Sequence, residues 1–296
     1  MLFVLLFAVF QMAIQELIRL EPALHRISQE NQRGVITASY NLLFESAGLA
    51  AVFLATLIMA RIEHRTVGAF GIPLQHAFGR LFWQGAIWGL VAESFVMLAM
   101  SLLHGFSFGS LAVSGVAIVK YAALWAAGDV LVGAFEESLF RGYAQFALAD
   151  GIGFWPAAFV LSAVFGLTHL GNPNEGWVGA SFVMLFGLFA CFTLRRTGTL
   201  WFAIGMHGAF DYAEDFIYSV PDSGIRATGH LLNSGFHGPR WLTGGAVGPE
   251  GSVLTFGVLL FSFVLFGWLY PAKKPDTTDE PGPRLPLPRP PFTSLM

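Results

Sequence analysis

Long stretches of this chain are apolar on every face instead of along one stripe. Such runs fall at 36–60, 81–103, 111–148, 154–170, 178–194, 199–220 and 251–270. A helix needs about 20 mostly apolar residues to cross the hydrocarbon of a bilayer, so these runs read as membrane spans. The run 111–148 is too long for one straight span, because a helix of that length would reach about 60 Å. A break near Gly128–Asp129, or an inner end projecting from the membrane, is therefore expected. The opening MLFVLLFAVFQMAI is shorter and interrupted by Gln11. It lacks the basic flank and small-residue cleavage site of a signal peptide, and reads as a short first span. Residues 16–35 mix charge with Leu and Ile, as an interfacial helix does. The predicted fold is all-α, a polytopic transmembrane helix bundle of about seven or eight spans. Residues 1–35 form its first span and interfacial helix, and 36–270 the embedded body, with the chemistry at about 110–220. The tail 271–296 is Pro-rich and without apolar period, as a disordered extension would be.

Composition agrees with that pattern. Hydrophobic residues make up 55% of the 296 and charged residues 12%, about half the charge of a soluble domain. Thirty phenylalanines would make a soluble surface aggregate. A net charge of −3 leaves no basic field, so a nucleic-acid partner is excluded. The single cysteine, Cys191, excludes a disulfide framework and reads as a small buried hydrophobe. Arg61, Arg65 and Arg80 flank one loop and Arg195 and Arg196 mark another, while 104–110 and 171–177 carry no Lys or Arg. By the positive-inside rule the first group faces the cytoplasm, as expected of a multi-pass protein of a bacterial cytoplasmic membrane. With eight spans both termini lie on that side, and with seven only the N-terminus moves.

An ionisable residue inside a span is costly and points to function. Here they are Glu45, Glu93, Lys120, Asp129, Glu136, Glu137, Arg141, His169, His207, Asp211, Glu214 and Asp215. In AFEESLFRGY, adjacent residues point about 100° apart, so Glu136 and Glu137 cannot share one site. Glu137 precedes Arg141 by four residues, the favourable order for an ion pair, which leaves Glu136 free to face a cavity. A solvated helix mouth is the plain alternative for this cluster. Phe165 and His169 share a face in FGLTHL, where a lone histidine is more often a satisfied polar residue. In MHGAFDY the i,i+4 pair His207 and Asp211 suits two metal ligands, or a carboxylate orienting an imidazole. Glu214 and Asp215 are expected at the outer interface as solvated residues. Helical rise places Glu136, His169 and His207 about 18, 22 and 12 Å from the inner ends of their helices, so they could converge near the membrane's middle or inner half.

These three motifs, in this order, resemble those of the CPBP family of intramembrane proteases, which includes the type II CAAX prenyl endopeptidases. The family pattern is EExxxR, FxxxH and HxxxN or HxxxD; here it stands as Glu136, Glu137 and Arg141, then Phe165 and His169, then His207 and Asp211. The resemblance implies peptide-bond hydrolysis inside the membrane on a membrane protein or lipid-anchored peptide. It assigns Glu136 as general base, His169 to position the water or shuttle its proton, and His207 with Asp211 to stabilise the oxyanion. Glu137, Arg141 and Phe165 would support them. An ionised Asp211 cannot donate to an oxyanion as an asparagine would, so orienting His207 or binding a metal suits it better. Glu136, His169 and His207 would also make a His₂-carboxylate set for a divalent metal such as Zn2+, and metal-dependent and metal-free routes both remain open.

Other intramembrane protease patterns fail on residues. HExxH is missing, Gly179-Ala180-Ser181-Phe182 lacks the closing glycine of the rhomboid loop, and Asp129 follows Ala-Ala-Gly, not the GxGD of presenilin-type enzymes. Two other classes stay open: a non-proteolytic scaffold or immunity protein on the same fold, and a proton-coupled transporter. A transporter is expected to show two related halves with broken helices, and the sequence shows no such repeat. Gly85 and Gly89 form a GxxxG pair, read as a close contact between helices of this chain.

Overall fold

A computed structural model describes residues 1–31 and 34–272; the expected tail lies outside the described residues except for its first two positions. The apolar runs become helices. These are α1 (Leu2–Leu20), α2 (Pro22–Ser28), α3 (Ala38–Ile62), α4 (Arg80–Leu102), α5 (Val116–Arg141), α6 (Tyr143–Ile152), α7 (Phe154–His169), α8 (Trp177–Thr197), α9 (Trp201–Tyr212), the short α10 (Arg240–Thr243) and α11 (Val253–Leu269). A π-helical stretch, Ala213–Tyr218, continues α9. The chain is an all-α helical bundle of an integral membrane protein. Five segments are long and apolar enough to cross a membrane, with α5 and α6 taken together as Val116–Ile152; α7 and α11 are shorter apolar helices. Trp83, Ile87, Val91, Phe95 and Leu98 stand exposed along one side of α4. Recurring about every fourth residue, they form an unpartnered apolar stripe suited to lipid.

Both ends of the described chain return to the arginine-bearing end. Phe3 stacks at 4.9 Å on Tyr143, whose hydroxyl donates to Glu63 beside Arg65. The Tyr270 hydroxyl donates to Gln84 near the start of α4. This arrangement matches the eight-crossing alternative. At the other end α1 runs on to Leu20, so the interfacial segment begins only at the proline-started α2.

The long run breaks at Gly142, not at Gly128–Asp129. A Cβ at Gly142 would come within 2.3 Å of the Ser138 carbonyl oxygen, so only glycine permits the turn from α5 into α6. Gly128 and Asp129 sit in uninterrupted helix because Asn41 of α3 donates to Asp129 there, supplying the polar partner a break would otherwise have had to provide.

Helix α9 is the central post. Cβ atoms at Gly85 and Gly89 would meet the Phe202 and Met206 carbonyl oxygens at 2.0 and 2.1 Å, so α4 lies with its backbone against α9. The GxxxG pair is thus an internal helix contact, with the close backbone approach small residues allow in membranes. Gly133 of α5 meets the other side of α9 near Ile204 and Gly208. Around this post Phe165, Phe182, Phe186, Phe189, Phe202, Phe210 and Phe266 form a buried cluster, which is where many of the phenylalanines go. Cys191 is buried and free, as a small hydrophobe would be. Beyond the membrane helices the glycine-rich segment 219–252 is ordered. Val35–Ile36 (β1) pairs in parallel with Arg226–Ala227 (β3), and Phe106–Ser107 (β2) pairs antiparallel with Gly235–Phe236 (β4).

Candidate active site

The three motifs meet around one cavity of about 400 Å³. Glu136 of α5, Phe165 and His169 of α7, and His207 and Asp211 of α9 all line it. The adjacent glutamates divide as their 100° separation requires. Glu137 is fully buried and faces Arg141, also fully buried, at 3.4 Å. Glu136 keeps 20% of its side chain accessible and faces the cavity.

Glu137 does more than pair with Arg141. Its Oε1 lies 3.0 Å from His207 Nδ1, so this carboxylate, not Asp211, orients the imidazole. With Nδ1–H donating there, His207 Nε2 points at Glu136 Oε2 (3.5 Å) and Asp211 Oδ2 (3.6 Å). A bare lone pair at Nε2 would repel both carboxylates, whereas a doubly protonated ring donates toward each. The His207–Asp211 pair expected from spacing therefore exists, but through the nitrogen that faces the chemistry.

His169, at the last turn of α7, places Nδ1 2.9 Å from the Phe165 carbonyl oxygen. A carbonyl only accepts, so Nδ1 carries the proton and Nε2 is left as an acceptor. Phe165 is the buried spacer of the group. Its ring lies 4.8 Å from His169 and 6.2 Å from His207, and the Arg141 guanidinium sits 4.2 Å over it. The three polar groups are thus wedged apart by an aromatic plate.

The zinc reading requires donor atoms about 3.3 Å apart, the edge of a tetrahedron with ligands at about 2.0 Å. Among the described residues, the carboxylates and histidines whose donor atoms all lie within 4.8 Å of one another are Glu214, Asp222 and Glu250, and not Glu136, His169 and His207. The latter trio is not assembled as a zinc site.

The cavity also holds residues the motifs do not include. Glu45 from α3 and Asp215 from the π-helical stretch line it, with Asn172, Asp222, Ser223 and Glu250 from the loops at the end away from the arginines. The site is therefore bounded by those loops and is not confined to the membrane's inner half. Glu45 and Asp215 already stood out as intramembrane charges. Asp222 and Glu250 sit in polar loops, where an acid carries no signal. Burial raises the Asp222 carboxyl to about 6, and the nearby His207 charge opposes that rise. Burial and the charge of Asp222 likewise push Glu250 well above the usual carboxylate range. Glu214 and Asp215 are not solvated residues of an outer interface: they are 0% and 4% exposed. The π-helical stretch that carries them packs against α4.

The family model for type II CAAX prenyl endopeptidase Rce1-like proteins matches residues 118–213, which hold all three motifs. Over this segment the chain is similar to the Rce1-like family. No curated protein and no solved structure matches the chain. The Rce1-like segment runs from the first turn of α5 to the start of the π-helical stretch. It thus includes the Glu137–Arg141 support and excludes Glu45, Asp222 and Glu250. At the family level this is a CAAX-type intramembrane protease core.

Proposed function

We propose that this protein is an endopeptidase that hydrolyses a peptide bond of a membrane protein or lipid-anchored peptide, within a bacterial cytoplasmic membrane, using a glutamate-activated water. The observation that carries the reading is the position of Glu136, a cavity-facing carboxylate 3.5 Å from His207 Nε2 and across the same cavity from the acceptor nitrogen of His169. In this mechanism Glu136 takes a proton from water while His169 Nε2 accepts the water's second hydrogen bond and fixes its direction. The water oxygen attacks the carbonyl carbon, and the carbonyl oxygen becomes an oxyanion. His207 donates Nε2–H to that oxyanion, held in line by Glu137 at Nδ1, with Asp211 balancing the imidazolium charge. The carbon–nitrogen bond then breaks as Glu136 passes its proton to the leaving amine. Such a donor acts most strongly where water is scarce, and Phe165 and Phe186 flank His207 at 6.2 and 4.9 Å between ring centroids.

The test is turnover of a lipid-anchored or transmembrane peptide by the purified chain. Glu136→Ala and His169→Ala are each expected to abolish cleavage while leaving the melting transition in place. Wild-type turnover by either variant contradicts the assignment. Comparing the membrane proteome of cells that carry Glu136→Ala with that of wild-type cells identifies the substrate, as the protein that accumulates uncleaved.

A further inference from the structure

Four carboxylates gather beyond the far end of α9, one or two turns past His207 and Asp211. Glu93 comes from α4, Glu214 from the π-helical stretch, Asp222 from the following loop, and Glu250 from the turn Pro249–Gly251. Glu214, Asp222 and Glu250 each present an oxygen within 4.8 Å of the others. Among the described residues no lysine or arginine forms an ion pair with any of the four.

Crowding of acids alone makes no site, but two further observations point to a ligand. Glu214 is 0% exposed and neither carboxylate oxygen has a hydrogen-bond partner. Glu93 is also 0% exposed with both oxygens unpartnered, and it lies outside the close trio. The helix register aims it there. Gly85 packs on Phe202 and Met206, and Gly89 on Met206 and Phe210, so Glu93, the next residue on that face, comes opposite Phe210 and Glu214. Glu250 uses Oε2 to accept from the Ser223 amide and hydroxyl at 2.7 and 2.6 Å, which leaves Oε1 free. Buried acceptors are normally satisfied, and like charges this close repel strongly away from water. Something positive is missing from the protein's own side chains.

We propose that Glu214, Asp222 and Glu250, with Glu93 of α4 beside them, bind a hard divalent cation of calcium size. The donors are all carboxylate oxygens, the choice of Ca2+ and not of zinc. Opposite ligands of Ca2+ stand about 4.6–5.2 Å apart, while those of Mg2+ stand about 4.1 Å apart in a stricter octahedron. Ligands drawn from two loops and a π-helical stretch, all within 4.8 Å of one another, suit the more adaptable coordination of Ca2+. Bound there, the ion would tie α4, the end of α9 and two loops together. Asp222 and Ser223 also wall the cavity, so the ion would fix that wall. This site does not depend on the proposed hydrolysis.

The test uses the full chain in nanodiscs, stripped with chelator, with Ca2+ titrated by calorimetry and melting followed in parallel. The expected result is one saturable equivalent of Ca2+, weaker binding of Mg2+, and a higher melting temperature with Ca2+. Glu214→Gln and Glu250→Gln are each expected to weaken binding about tenfold or more, and to shrink the rise in melting temperature that Ca2+ gives. Glu16→Gln, at an exposed acid far along the chain, is expected to change neither. Absence of saturable binding overturns the proposal, as does wild-type affinity in both Glu214→Gln and Glu250→Gln, which would place the ion on exposed acids. If neither variant folds, the wild-type comparison decides: no shift in melting between stripped and Ca2+-loaded protein overturns it.

Discussion

Two clusters of carboxylates lie along α9, and they solve the problem of buried charge in opposite ways. Close to His207, three acids reach a cationic or cation-forming neighbour: Glu137 has Arg141 and His207, while Glu136 and Asp211 share His207 Nε2. Past the end of the helix, Glu93, Glu214, Asp222 and Glu250 form no ion pair among the described residues. The first cluster carries its own counter-charges and can hold one carboxylate free for chemistry. The second is incomplete as a set of side chains. Compensation, more than the number of acids, separates a site that acts from one that waits for an ion.

The strongest way to break this contrast is to remove the first cluster's cation. Arg141→Ala leaves the buried Glu137 with His207 as its one remaining partner among the described residues, and opening a buried pair costs about 3–5 kcal/mol. A collapse of the melting transition is expected, and an unchanged transition would mean that Arg141 is not the counter-charge. A smaller effect comes from the helix contact that aims Glu93 at its neighbours. Gly89→Ala places a Cβ 2.1 Å from the Met206 carbonyl oxygen, and overpacking of this kind costs about 1–3 kcal/mol. Its melting temperature should fall, whereas Ala at Gly257, which meets no atom within 4 Å, should leave it unmoved. Smallest is the exposed pair Arg19–Glu16. Solvent screens it, so Glu16→Gln should leave melting and turnover as they are. A loss comparable with Arg141→Ala would remove the distinction between compensated buried charge and surface charge.

The membrane helices were legible because apolar runs of span length report burial in lipid directly. The division of Glu136 from Glu137 was legible too, since it follows from helical angle and from the i,i+4 position of Arg141. Four features were not. The break at Gly142 lies inside an apolar run, and a glycine there looks like any other until the Ser138 carbonyl is placed beneath it. The bond from Glu137 to His207 joins residues 70 positions apart, and spacing along one helix favoured Asp211 instead. Burial of Glu214 and Asp215 depends on what covers the end of α9, namely α4 and the loops that follow, and the periodicity of one helix does not report its neighbours. Asp222 and Glu250 enter the cavity through loop folding alone.

The central claim is that two adjacent glutamates do different work: Glu136 acts on water and Glu137 holds His207. Parallel turnover and melting measurements on Glu136→Gln and Glu137→Gln test it most directly. Glu136→Gln is expected to lose about a hundredfold to ten-thousandfold in turnover with its melting temperature held. Glu137→Gln is expected to lose both turnover and stability, because Arg141 and His207 each forfeit a charged partner. Wild-type turnover in Glu136→Gln, or the two variants behaving alike in both measurements, would contradict the account.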